Sequence, residues 1–288
     1  MKTLGLAVSL AVVAAALPVA QDRPLPEAEP FLREVRKHLE RDEVRQGGYM
    51  YVETRRELKL DKSGRSTRET LKVFESYPGL PGEDRWERLI AEDGAPLPAA
   101  ELAKRDRERE KKAQEYVRKL TKEPEKLQRE EAREREKDHR ETERLVDDIF
   151  RVYDMRLLRR ETLEGHDTIA MALTPRPKAS PRTRDGRIMK SFNVRAWVSE
   201  SEYELVRVDI DAVDDVSIGF GLLARVHKGT KASFTRRKVN GEVWLPASAS
   251  YTASARIALF KVLRVGGTSE FSDYRKFTVG TATTYTTK

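Results

Sequence analysis

The four histidines, His38, His139, His166 and His227, are scattered, and no two stand at a spacing that brings imidazoles onto one metal ion. His166-Asp167 is the only tempting pair of imidazole and carboxylate, but it sits in a tight hairpin turn, where neighbouring side chains point apart. Asp209, Asp211, Asp214 and Asp215 gather behind a strand-like run. Calcium would want further oxygen ligands and a glycine at defined spacing, so the group reads as a solvated strand end. The sequence contains no Gly-x-Ser-x-Gly, no His-Glu-x-x-His and no phosphate-cradling glycine loop. It has no cysteine, which excludes thiol catalysis, thiolate metal sites and disulfides. No metal or cofactor is expected, and an exported hydrolase of unfamiliar design is the weakest reading. The expectation is a binding protein, not an enzyme.

Binding needs a container, and the apolar periodicity outlines one. Residues 1–20 read as a secretory signal peptide: Lys2 precedes an apolar core from Leu4 to Leu17, with cleavage expected after Ala20. An uncleaved anchor is the other reading, disfavoured because a span needs ~20 apolar residues. The working chain is therefore expected to be periplasmic or secreted. The full sequence has a net charge of +8, mixing 56 basic with 48 acidic residues. An exported protein meets little nucleic acid, so anionic headgroups or wall polymers, through peripheral membrane contact, are the expected electrostatic partners.

Residues 21–98 should supply an N-terminal helix and the first strands. Phe31, Val35 and Leu39 recur at helical spacing within Glu27 to Arg45, and Gly47-Gly48 ends the helix. Tyr49 to Leu60 and Ser66 to Tyr77 have strand character around the turn Asp61-Lys62-Ser63-Gly64. A shorter run, Arg85 to Ile90, turns at Asp93-Gly94. Residues 99–153 form a charged helical insertion, with one apolar stripe through Ala113, Tyr116, Val117 and Leu120, broken at Pro124. The stripe nearly vanishes between Arg129 and Glu143, against a long coiled coil; Leu145, Val146, Ile149 and Phe150 should dock the second helix on the body. The insertion is either a solvated arm or a partner-binding one through residues 99–143.

Residues 154–288 read as antiparallel sheet. Met155 to Leu163 and Thr168 to Leu173 flank the turn Glu164 to Asp167, and Phe192, Val194, Ala196 and Val198 alternate with polar neighbours, as do Val206, Val208 and Ile210. Asn240-Gly241 is a hairpin signal, because both positions favour positive φ. Two long runs, Ala249 to Val265 and Ser269 to Val279, are expected around Gly266-Gly267. The fold class is α+β: a curved antiparallel half-barrel with an N-terminal helix and a long charged insertion. Helices lying across its hollow would leave a cavity suited to acyl chains, lined by Phe192, Val194, Val206, Val208 and Phe220. A filled core explains the same alternation equally well. Trp86, Trp197 and Trp244 fit either core or rim.

The stretch Leu157 to Asp167, continued to Leu173-Thr174-Pro175, resembles the central hairpin of periplasmic proteins similar to outer-membrane lipoprotein-sorting (Lol-type) carriers. Val194-Arg195-Ala196-Trp197-Val198 followed by Tyr203 to Val208 resembles their passage from a tryptophan strand through a turn. Asn240 to Pro246 and Tyr274-Arg275-Lys276-Phe277 fit the same pattern. The resemblance covers roughly Met155 to Val279, and more loosely the first helix and strands. It implies a half-barrel closed by helices, with a hydrophobic cavity for an acyl lipid or lipoprotein. The charged insertion departs from the compact carriers. The alternative is a structural or sensory envelope protein whose arm binds a protein partner.

Overall fold

The computed structural model describes residues 23–40, 48–81, 83–218, 224–257 and 261–276. The expected signal peptide, Phe220 and the expected end of the last strand at Val279 lie outside them. Helix α1 spans Ala28–Leu39, shorter than the stretch expected to Arg45; residues 41–47 lie outside the described set. Strands β1 (Tyr49–Leu60), β2 (Ser66–Tyr77), β3 (Trp86–Glu92) and β4 (Ala95–Pro96) follow. Next come α2 (Ala99–Lys122) and α3 (Pro124–Val152). Pro124 is the first residue of α3, where its missing N–H costs nothing, so the chain makes an elbow between two helices. Then come β5 (Tyr153–Leu163), β6 (His166–Pro175), α4 (Arg184–Met189), β7 (Phe192–Ser199) and β8 (Leu205–Ala212). The chain continues through β9 (Val216–Ile218), β10 (Ala224–Val226), β11 (Lys231–Val239), β12 (Val243–Ile257) and β13 (Lys261–Lys276).

All pairings are antiparallel, in the order β4-β3-β2-β1-β13-β12-β11-β8-β7-β6-β5, with β9 and β10 attached off this path to β12. The sheet is a curved, open half-barrel. Its N-terminal and C-terminal parts are sewn together by β1 against β13, from Tyr49 opposite Lys276 to Lys59 opposite Val265. Register shifts in β1, β2, β5, β8 and β12 pairings add local twist and help the sheet curl. The turns follow local chemistry: Asp93-Gly94, Glu164-Gly165 and Asn240-Gly241 all have positive φ at both residues, the geometry of a two-residue hairpin turn.

One expected boundary is corrected. Gly266-Gly267 is no turn; both glycines lie inside β13, whose ladder with β12 runs on to Lys261 opposite Ile257. A Cβ on Gly267 would stand 2.6 Å from the Tyr251 ring and 2.9 Å from the Arg56 carbonyl oxygen. Glycine is there because the Tyr251 ring lies across the backbone of the neighbouring strand, and no side chain fits beneath it.

The main core forms where α1 and the end of α3 cross β5, β6 and β7. Phe31 and Val35 of α1 and Val152 of α3 pack with Ile169, Met171, Leu173, Ala196 and Val198. A second cluster joins Tyr49, Val239, Val243 and Leu245. The arm of α2 and α3 touches the body near its ends. Arg88 of β3 makes a bidentate bond to Asp106, and Arg109 lies over the Trp86 ring. At the other end Arg36 pairs with Asp147 and stacks on Phe150. At the elbow the Tyr116 hydroxyl donates to Glu131, and Leu127 is buried.

The segment between β6 and β7 is held by one buried carboxylate. Asp148, fully buried on α3, accepts from the backbone N–H of Arg182 and of Thr183 and from the Thr183 hydroxyl. Thr183 in turn caps α4 by accepting from Gly186 N–H, and a Cβ on Gly186 would lie 2.3 Å from the carboxylate. Burial pushes the Asp148 carboxyl up, but these donors and Arg151 outweigh it and hold it below its ordinary range. Its stabilisation is therefore present above the ordinary carboxylate pKa and is lost as pH falls through the lowered folded value. Asp148→Asn is expected to cost about 1.5–3 kcal/mol at neutral pH, because an amide cannot accept from all three donors. Thermal unfolding followed from pH 7 to pH 3 checks this: the gap between wild type and variant should narrow in acid.

Candidate ligand-binding face

Residues directly opposed in a ladder share a face, so the registers trace rows across the sheet. One row runs Leu157, Met171, Ala196, Val208, Phe234, Ala249, then Ser269, Arg55, Lys72 and Glu92. It is apolar over six strands and polar over the last four. The adjacent row runs Met155, Leu173, Val194, Ile210, Ala232, Tyr251, then Gly267, Glu57 and Thr70. Both rows begin under α1 and the end of α3 and emerge on β8, β11 and β12. There Val208, Ile210, Ala232, Phe234 and Ala249 are half-buried, and Tyr251 is 43% exposed.

The polar end of this face is internally paired. Glu53, buried on β1, receives two bonds from Arg55 and one of 2.6 Å from the Ser269 hydroxyl. Arg55 also reaches Glu87 at 3.0 Å and lies over the Phe74 ring, and Lys72 approaches Glu57 at 3.4 Å. The face is thus an apolar floor with a charged bank along one side.

The expected lining residues divide. Phe192, Val194 and Val208 share this face; Phe192 and Val208 are half-buried, and Val194 packs on the helix-covered core. Val206 does not continue the row. The ladder shifts between Trp197 and Val198, so Val198 faces Leu205 while Trp197 faces Arg207, and Val206 is the extra residue, completely buried. Phe220 lies outside the described residues. The floor also contains Ala232, Phe234, Ala249 and Tyr251, which the sequence reading did not single out. Their signal was faint: alternation with serine and threonine in β11 and β12, carried mostly by alanine.

The turn from β7 to β8 fastens this architecture with three alternating glutamates. Glu200 takes a bidentate bond from buried Arg160, which also donates to the carbonyls of Arg23 and Pro24. Glu202 accepts from Lys238 at 2.8 Å and from the Trp244 indole at 3.1 Å. Buried Glu204 meets His38 Nδ1 at 3.0 Å and Arg236 at 3.6 Å. Tyr203 between them has φ of 58°, rare for an aromatic residue, and is held by the rings of Phe31 and His38. His38, Ser201, Glu202, Glu204 and Trp244 line a cavity of about 300 Å³. Among the described residues no hydrogen bond joins Ser201 to His38. The His166 ring lies tilted against that of Trp244, centroids 4.6 Å apart, while Asp167 accepts from Thr162. Trp197 is buried, its indole donating to Glu161. Asp209 pairs with Arg207 and Ser233, and Asp215 with His227 and the Lys228 N–H.

No protein-family description matches the chain, and no curated protein does. Solved structures that align with it include a putative outer membrane lipoprotein-sorting protein domain from Vibrio parahaemolyticus, with 11% identity and a TM-score of 0.34, over 86% of this chain and 93% of that one. A DUF1329 family protein from Desulfovibrio piger aligns with 14% identity and a TM-score of 0.29, over 88% of this chain and 95% of that one. The Pseudomonas aeruginosa MucA/MucB complex contributes a chain with 9% identity and a TM-score of 0.22, over 87% of this chain and 99% of that one. These likenesses are distant, and none of them speaks for a ligand or a partner.

Proposed function

We propose that this chain is a non-enzymatic binding protein of the cell envelope that shelters an acyl chain of a lipid or lipoprotein on the helix-flanked face of its sheet. The observation that carries this reading is the apolar floor that emerges from under α1 and stays half-exposed across Val208, Phe234 and Ala249. An acyl chain laid there gains ~0.8 kcal/mol for each methylene buried, before ordering costs. The charged bank from Glu53 to Lys72 bounds the floor on one side. A second reading has support of its own: Val117 and Leu120 on the arm are 57% and 42% exposed, apolar surface available to a protein partner.

The test is native mass spectrometry of the protein purified without detergent, run on the intact chain and on one in which residues 99–143 are replaced by a short glycine-serine linker. A discrete acyl-lipid adduct in both forms supports the sheet face as the site. Uptake lost with the arm makes the arm a lid. A chain without adduct that also refuses added phospholipid and lipopeptide overturns the lipid reading in favour of the arm.

A further inference from the structure

The segment Arg176 to Lys190 carries six basic residues against one acid, Asp185, and nothing in the acyl site accounts for them. Two of them stand on α4. Arg184 and Arg187 are one helical turn apart and therefore neighbours on its surface. Together with Ile188, Ser191, Asp215, Val216 and Ser217 they line a cavity of about 430 Å³ between α4 and the strand β9. The Arg187 backbone N–H donates to the Thr183 carbonyl, but among the described residues neither the Arg184 nor the Arg187 side chain has a hydrogen-bond or ion-pair partner.

The one acid in the cavity is already engaged. Asp215 accepts from the Lys228 N–H at 2.9 Å and meets His227 at 3.3 Å, and these contacts hold its carboxyl below the ordinary range. Arg225 stands directly opposite Ser217 in the β9–β10 ladder and adds positive charge on the same side. The helix that presents the two arginines is fixed with unusual care for six residues. Buried Asp148 grips its first turn, Gly186 packs against that carboxylate, the Tyr153 hydroxyl donates to the Met189 carbonyl, and Lys190 Nζ donates to the Ala179 carbonyl. A fixed helix thus presents two unpaired arginine side chains to a cavity that two serines also line, a donor set suited to the oxygens of a phosphate.

The pocket also adjoins the apolar face. Met189 packs into the core under α1, and Ser191 is followed directly by Phe192 on that face. We propose that the Arg184–Arg187 pocket is a binding subsite for a phosphate ester, and that it receives the headgroup of the lipid whose acyl chain lies on the sheet. The headgroup assignment rests on the acyl-binding reading; the phosphate chemistry of the pocket stands without it.

The experiment compares the intact chain with the double variant Arg184→Gln/Arg187→Gln, whose exposed positions leave the fold and its Tm unchanged. Native mass spectrometry measures uptake of phosphatidylglycerol against diacylglycerol with the same acyl chains. The wild type is expected to favour the phospholipid by about tenfold or more, and the variant to take up both equally. A variant that keeps the full preference, or a wild type that binds both lipids equally, overturns the headgroup assignment. If the wild type binds neither lipid, the acyl reading has failed, and calorimetric titration with glycerol 3-phosphate decides the pocket alone. Binding abolished in the variant supports a soluble phosphate ester as its ligand, and no binding to the wild type overturns the subsite.

Discussion

Arg160→Met is expected to cost the protein about 3–5 kcal/mol, because it breaks a buried ion pair and leaves its other partners unsatisfied. The Arg160 side chain is 3% exposed and Glu200 18%. The guanidinium makes contacts of 2.7 and 2.6 Å to the two Glu200 oxygens, and 2.6 and 3.1 Å to the carbonyls of Arg23 and Pro24. Methionine fills the volume but offers no donor, so two carbonyls must be rehydrated or stay unpaired, and Glu200 keeps only its 2.7 Å bond to the exposed Arg23 side chain. Urea denaturation at neutral pH measures the loss, and Arg159→Met, on the exposed neighbour, should stay within about 0.5 kcal/mol of wild type. The Arg160→Met/Glu200→Leu double variant should recover part of the stability, since the largely buried carboxylate left with only exposed Arg23 as partner is then gone. The pH dependence gives a second readout. Hydrogen bonding to Arg160 lowers the Glu200 carboxyl, so its contribution is full above the ordinary carboxylate pKa and lost as pH falls through the lowered value. That acid-sensitive component should shrink in Arg160→Met to the part that Arg23 supports. A variant as stable as wild type would mean that the bonds of Arg160 to Glu200 and to the Arg23 and Pro24 carbonyls contribute nothing to the fold.

Much of this fold is written locally. Asn240-Gly241 and Asp93-Gly94 specify turns because their residues tolerate positive φ, and Pro124 specifies a helix start because its ring cannot continue a helix behind it. What is not local could not be read. The pairing of β1 with β13 joins residues more than 200 positions apart, and neither strand announces its partner. Gly266-Gly267 looked like a turn because glycine more often serves backbone freedom than a ring lying over it; here Tyr251 supplies the reason from another strand. Val206 followed the alternation of Val208 and Ile210, but one extra residue at the ladder shift turned Leu205 to the shared face instead. The partners of Glu200, Glu202 and Glu204 were equally hidden, because a spaced set of acids looks the same whether it is solvated or pinned by Arg160, Lys238 and His38.

That ladder shift decides how the acyl site should be tested. A charge at Val206 strikes a fully buried bulge and would damage the fold, so lost binding there would be uninformative. Phe234 is the better position: half-buried, midway along the row between Val208 and Ala249, and a large share of the apolar floor. Phe234→Glu should leave a folded protein, since the new carboxylate has access to water, but an acyl chain laid across it must strip that water away. Losing the phenylalanine contact alone removes about 1.5–3 kcal/mol, a roughly 10- to 100-fold weakening, and the unpaired charge adds to it. Thr252→Glu supplies the control, because Thr252 is exposed and one residue out of phase with Tyr251, on the opposite face of the same strand. Competition with a fluorescent fatty acid, alongside Tm for each variant, reads both quantities at once. Binding lost in Phe234→Glu and kept in Thr252→Glu, at equal Tm, places the acyl chain on the floor that emerges from under α1. Equal binding in the two variants removes the chain from that floor and leaves the row of Val208, Phe234 and Ala249 as scaffold only.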